Sequence, residues 1–193
     1  LRVVTTHRSD APAFDASTTL RIDRISLSLR ETGSFSWTGR RGYWSIVSHL
    51  RRLHAASPVS IVHCARCITE GWAGWLFWRL TGVPYLCYVH GEDVNWSPDG
   101  EQLGVMSSRQ HRWMARRVLR NAGHLIANSH NTRRILETVW GISPDRITVI
   151  HPGVDTKRFR PADRSAKSRA ALGWHDRPVI LTVGRLQKRK GHD

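Results

Sequence analysis

The sequence predicts an α/β chain built on a doubly wound, Rossmann-like parallel sheet. Short apolar runs recur along it, stretches with helical apolar spacing separate them, and the runs end in turn-forming or polar residues. Parallel strands covered on both faces read as unbroken Val, Ile and Leu runs, and crossover helices carry one apolar stripe. The last run, Val179 to Val183, has this character and delivers Gly184, Arg185, Lys190 and Gly191. In open α/β sheets, phosphorylated ligands bind just beyond the carboxyl ends of strands.

Taken in order, residues 1–6 form a strand and residues 11–17 a loop. Tyr43, Ile46, Val47, Leu50 and Leu53 follow helical spacing, and the helix stops before Pro58. Residues 59–64 read as a strand, 70–80 as a Trp-rich helix, and 84–89 as a continuous apolar strand running into His90-Gly91. A polar loop carries Pro98-Asp99-Gly100, and a helix covers 108–121. Residues 124–127 form a strand; Ser129 caps a helix over 130–140 that Gly141 stops. Residues 147–150 form a strand leading to Pro152-Gly153, residues 157–177 a connector with one short helix, and Pro178 opens a further strand.

Length and composition set bounds on this reading. At 193 residues and 40% hydrophobic content, the chain holds one full domain and part of a second. It opens on Leu1 and stops at Asp193 just past a strand, so both ends read as cut. The most apolar stretch, 72–80, is interrupted by Arg79, which argues against a membrane span. Cys64, Cys67 and Cys87 are too few for a disulfide framework and suit a reducing, cytoplasmic setting. Cys64-Ala65-Arg66-Cys67 has no second pair to complete a metal site, so no metal is expected.

Charge is the unusual quantity. Lys and Arg total 30 against 15 acidic residues, a formal +15, with no acid between Glu31 and Glu70 or between Glu101 and Glu137. Such a field attracts polyanions, whether nucleic acid, anionic lipid or a phosphorylated substrate. A biased coding composition would produce the same excess.

Four motifs stand in order at strand ends: His90-Gly91-Glu92-Asp93; Asn128-Ser129; Pro152-Gly153-Val154-Asp155 with Phe159 and Pro161; and Gly184-Arg185 with Lys190-Gly191. Together they resemble the retaining GT-B glycosyltransferases of the family-four type, over residues 59–193. The resemblance implies a GT-B fold: an acceptor-side amino-terminal domain over 1–157 without its first strand and glycine-rich loop, a connector over 158–177, and the start of a donor domain over 178–193. It implies transfer of a sugar, with retention, from a nucleotide-diphosphate sugar to a hydroxyl acceptor of a lipid or polysaccharide precursor. The nucleotide sugar is a substrate, and no cofactor is implied.

By the same resemblance, Gly184, Arg185 and Lys190 bind the donor diphosphate and offset charge on the leaving group. His90 lies at the reaction centre as an orienting group, with Gly91 and Asp93 on the acceptor side. Other readings stand beside these: a solvated basic loop at 185–190, a turn cap for Asp93, a helix cap for Asn128-Ser129, and a purely structural Pro152-Gly153 turn. The family's pair of donor-holding glutamates would lie past Asp193, so this chain alone is expected to be inactive.

The 108–121 helix carries the expectation about partners. Arg109, Arg112, Arg116 and Arg120 gather around Trp113, opposite Met114, Ala115, Val118, Leu119 and Ala122. That suits peripheral contact with an anionic membrane on its inner face, where a lipid-linked acceptor would be met; an ordinary solvated basic face fits as well. Tyr43-Trp44 with Arg40, Arg41, Arg51 and Arg52 offers a second patch, while Trp72, Trp75 and Trp78 are expected in the core. The alternative for the whole is a non-catalytic basic module on anionic membrane or nucleic acid. The ordered strand-end motifs and the missing RNA-binding signatures weigh against it, and nucleic acid is not the expected partner.

Overall fold

The structure is a computed structural model that describes residues 1–9, 11–25, 36–95, 106, 108–160 and 166–184. The chain divides into two compact units, Leu1–Pro152 and Gly153–Asp193.

The first unit holds six strands and six α-helices among its described residues: β1 (Arg2–Thr6), α1 (Ala11–Ser17), β2 (Arg21–Ile25), α2 (Trp37–Ala56), β3 (Val62–Cys64), α3 (Thr69–Thr81), β4 (Tyr85–Val89), α4 (Gly91–Val94), α5 (Arg109–Asn121), β5 (His124–Ala127), α6 (His130–Thr138) and β6 (Ile147–Val149). β1 and β2 form a parallel pair, and β3-β4-β5-β6 a parallel sheet in chain order.

Two elements near the amino terminus depart from expectation. Residues 11–17 form α1 rather than a loop: three alanines favour helix, Pro12 sits in the first turn where no donor is lost, and Asp15 is gripped by Arg24 of β2 at 2.6 and 3.1 Å. β2 itself carries little apolar signal, and its charges are met from outside. Asp23 pairs with Arg2 of β1 at 3.2 Å and faces His49 of α2 at 3.6 Å.

The remaining helices start and stop where their chemistry dictates. Ser36, Ser108 and Ser129 cap α2, α5 and α6 by accepting from the backbone N–H three residues on. α3 ends on Gly82 at φ +77°, a left-handed conformation that glycine adopts without strain. Arg146 reaches back to the last carbonyls of α5, bonding Leu119 O at 3.4 Å and Ala122 O, a favourable place for a cation.

α3 packs on β3 and β4 and touches both α2 and α5. The approach to the sheet is close enough to require glycine: a Cβ on Gly74 would lie 2.5 Å from Cys64 Sγ, and one on Gly71 would lie 2.8 Å from Val118 and 3.0 Å from the Arg66 carbonyl. Trp72 is buried, and Trp75 and Trp78 pack half-buried against the same core, which also takes in Tyr43. Two buried polar tips are satisfied by backbone: Tyr85 Oη donates to Val118 O at 2.7 Å, and Trp140 Nε1 to Val94 O at 2.9 Å.

In the second unit, the Asp155 carboxylate accepts from the N–H groups of Lys157 (2.9 Å) and Arg158 (3.1 Å), closing a turn. The short helix α7 (Ala166–Ala171) ends near Gly173 at φ +67°. The strand expected over 178–183 does not form. No partner strand lies beside it among the described residues, and Ile180 is 99% exposed.

Candidate functional site

Because the four strands of the larger sheet are parallel, their carboxyl ends open on one edge. β3 leads there to Arg66 and Cys67, β4 to His90-Gly91, β5 to Asn128-Ser129, and β6 to Ile150-His151-Pro152. The sequence-predicted residues His90, Gly91, Asp93, Asn128, Ser129 and Pro152 therefore come to one edge.

Asp93 organises it. The carboxylate is buried at 7% exposure and accepts from the His90 backbone N–H at 3.3 Å and the Cys67 N–H at 3.4 Å. One oxygen thus joins the loop after β3 to the loop after β4. Burial pushes its carboxyl above the usual aspartate range, and the two backbone donors with Arg66 and His90 hold it back. Asp93 therefore caps the turn that precedes it, not the one that follows as the turn-cap reading had it.

His90 is half-buried at the start of α4, its ring 5.1 Å from that of Tyr88. Tyr88 Oη donates to Ile150 O at 2.9 Å, so the His90 side of the edge is tied to the segment leaving β6. Gly91 faces α6: a Cβ there would lie 3.6 Å from Thr132 Oγ1. Thr132, itself buried, donates to Asn128 Oδ1 at 2.7 Å, and its N–H bonds Ser129 Oγ at 3.1 Å. Asn128-Ser129 is thus a helix cap built into the edge.

At this edge, three features had not been singled out from sequence: Thr132, the His130–His151 ring pair at 5.4 Å, and the Arg66–Glu92 ion pair at 3.2 Å. The cap Ser129 followed three residues later by threonine was the signal for Thr132; the other two join separate strands and carry no local pattern. The edge gathers imidazole, hydroxyl, amide and carboxyl side chains on the loops after neighbouring strands.

Cys64, Cys67 and Cys87 are buried free thiols, and burial pushes the Cys64 thiol up. The Cys87 thiol is also raised, by its contact with Cys67 and by burial. No group of three or more His, Cys, Asp and Glu side chains among the described residues could hold a metal ion.

Arg185, Lys190, Pro161 and the 98–100 loop lie outside the described residues; Gly184 is described and exposed. On α5, Arg109, Trp113, Arg116 and Arg120 are exposed. Arg112 is half-buried and donates to Met106 O at 2.6 Å, which sets it at the margin of the face. Arg117, not singled out from sequence, lies over the Trp113 ring at 5.5 Å. No described helix is long and apolar enough to cross a membrane.

The parallel α/β sheet with its loops gathered at the carboxyl edge is that of the GT-B glycosyltransferases. Over 89% of this chain it superposes on 42% of Anabaena HepE, solved in complex with UDP, with a TM-score of 0.59 at 16% identity. A glycosyltransferase of Rickettsia africae matches 93% of this chain and 42% of its own, with a TM-score of 0.55 at 15% identity.

The chain belongs to Glycosyltransferase Family 4, whose model matches residues 1–158. Among curated relatives, D-inositol 3-phosphate glycosyltransferase 1 of Catenulispora acidiphila is 33% identical over 153 residues, 73% of this chain and 34% of that protein. The D-inositol 3-phosphate glycosyltransferase of Rhodococcus erythropolis is 27% identical over 97% of this chain and 43% of its own. The chain thus spans well under half the length of these relatives.

Proposed function

We propose that the whole protein transfers a sugar from a nucleoside-diphosphate sugar to a hydroxyl acceptor, and that the sheet edge at His90 is its acceptor side. The family match over residues 1–158 carries this reading, and the convergence of His90, Gly91, Asp93 and Asn128 on one edge supports it. His90 orients the acceptor hydroxyl or the donor sugar at the reacting centre. Asp93 fixes the backbone on which His90 stands, since the same carboxylate oxygen holds both loops. Gly184, Arg185 and Lys190 bind the donor diphosphate, where two cations stabilise the charge that grows as the sugar–phosphate bond breaks. Transfer proceeds with retention, and the 193-residue chain alone is inactive.

For the acceptor, the names of the curated relatives favour a compact phosphorylated polyol of the inositol phosphate class. A lipid-linked or polysaccharide-precursor hydroxyl is the second reading, supported by the exposed arginine and tryptophan residues of α5. That reading goes with a cytoplasmic protein working peripherally at the membrane. The test is release of nucleoside diphosphate by the whole protein from a nucleotide sugar, with inositol 3-phosphate and with a polyprenyl-phosphate-linked sugar as acceptors. Acceptor-dependent release that falls at least a hundredfold in Arg185→Ala is expected, in the range set by loss of one charge-stabilising donor, about 10²–10³. Release that ignores the acceptor, or survives in Arg185→Ala, overturns the proposal.

A further inference from the structure

We infer that the outer face of α5 docks on an anionic phospholipid bilayer, with the similarly composed exposed stripe of α2 as a second basic and aromatic face. The inference rests on the proposed function only for its biological sense; its physical basis is independent. On α5, Arg109, Trp113, Arg116, Arg117 and Arg120 recur at helical spacing and are all exposed, while Met114, Ala115, Val118 and Leu119 on the opposite side are buried. On α2, Trp37, Arg40, Arg41, Trp44, Arg51 and Arg52 make an equivalent exposed stripe, opposite Tyr43, Ile46 and Val47. Neither helix contains an acidic residue. None of these stripe arginines is in an ion pair among the described residues, whereas Arg2, Arg24, Arg66 and Arg133 are. The cations are thus available to an outside partner.

The aromatic residues point to a bilayer rather than to nucleic acid. Trp37 is 74% exposed, Trp44 58% and Trp113 41%, each within a row of arginines. Tryptophan beside arginine suits the headgroup level, where an apolar ring and a charged tip are both satisfied. The Trp113 ring meets buried Trp72 at 5.4 Å and lies beneath the Arg117 guanidinium, so a base would have to displace a cation to stack there. Trp113, Arg116, Arg117, Arg120 and Asn121 also line a shallow recess of about 220 Å³, large enough for a headgroup phosphate.

The experiment is co-sedimentation of the 193-residue chain with phosphatidylcholine vesicles, with and without phosphatidylglycerol, in the absence of any sugar donor. Binding is expected only to vesicles containing phosphatidylglycerol, weakening as salt rises. It should fall about 25-fold in Arg116→Gln/Arg120→Gln, at about fivefold per cation. Arg134→Gln, an exposed arginine on α6, should leave it unchanged. Absence of vesicle binding, equal binding to pure phosphatidylcholine, an unaffected double variant, or salt-sensitive binding to single-stranded RNA without vesicle binding each overturns the inference. Sugar transfer between soluble substrates is measured separately, so a failure here and a failure of the proposed function are told apart.

Discussion

Replacing Asp93 separates what its carboxylate does for the site from what its charge costs the fold. In Asp93→Ala, the backbone N–H groups of His90 and Cys67 lose their acceptor inside the protein. A buried donor left unmet costs about 1–3 kcal/mol, and distances of 3.3 and 3.4 Å place these bonds at the weaker end, so the loss should total about 2–4 kcal/mol. Asp93→Asn keeps an accepting oxygen and should cost about 1 kcal/mol at neutral pH. The pH dependence has a definite sign. Burial raises the native carboxyl above its ordinary 3.8, so between 3.8 and the raised value the native state holds more protons than the unfolded chain. Stability from this group is therefore greatest at low pH and is lost as pH rises through the raised pKa. Asparagine has no such dependence, so the advantage of the native protein over Asp93→Asn should shrink with rising pH across that window. Urea unfolding followed by tryptophan fluorescence reads both quantities, with nine tryptophans as reporters. An advantage that grows with pH, or an Asp93→Ala protein within about 0.5 kcal/mol of the parent, would refute the reasoning.

Three further outcomes follow from the packing. Gly71→Ala should destabilise by about 1–2 kcal/mol in the same unfolding assay, because crowding against Val118 and the Arg66 carbonyl outweighs a helix-propensity gain of about 1 kcal/mol. Cys64, Cys67 and Cys87 should resist Ellman's reagent in the native chain at pH 8 and react together once urea unfolds it; rapid native labelling of any one would contradict their burial. Tyr88→Phe should cost about 0.5–1.5 kcal/mol by removing the bond to Ile150 O, and a neutral result would mean that this tie is not used.

The elements that sequence resolved are those whose signal is local. Helical spacing gave α2 and α5, a Trp-rich run gave α3, and the Ser129 cap marked the start of α6. The unbroken apolar runs at 85–89 and 124–127 became the central strands β4 and β5. α1 and β2 were missed because their stability comes from charges matched at a distance, Arg24 with Asp15 and Asp23 with Arg2. β3 is shorter than expected: the Val59 N–H is taken by His54 Nδ1 at 3.0 Å and cannot join a ladder. The 178–183 run has the composition of a strand and no partner strand among the described residues, which composition alone does not reveal. At the site, His90 and Asp93 were legible as strand-end residues. That Asp93 joins two loops, and that Thr132 backs Gly91, depends on which strands are neighbours.

Nucleotide-sugar turnover tests the central claim most directly. With the whole protein, a nucleoside-diphosphate sugar and inositol 3-phosphate, mass spectrometry should find the glycosylated acceptor, and His90→Ala should reduce its formation at least tenfold while leaving the unfolding midpoint in place. Product formed at an undiminished rate by His90→Ala would contradict the placement of the reacting centre at this sheet edge.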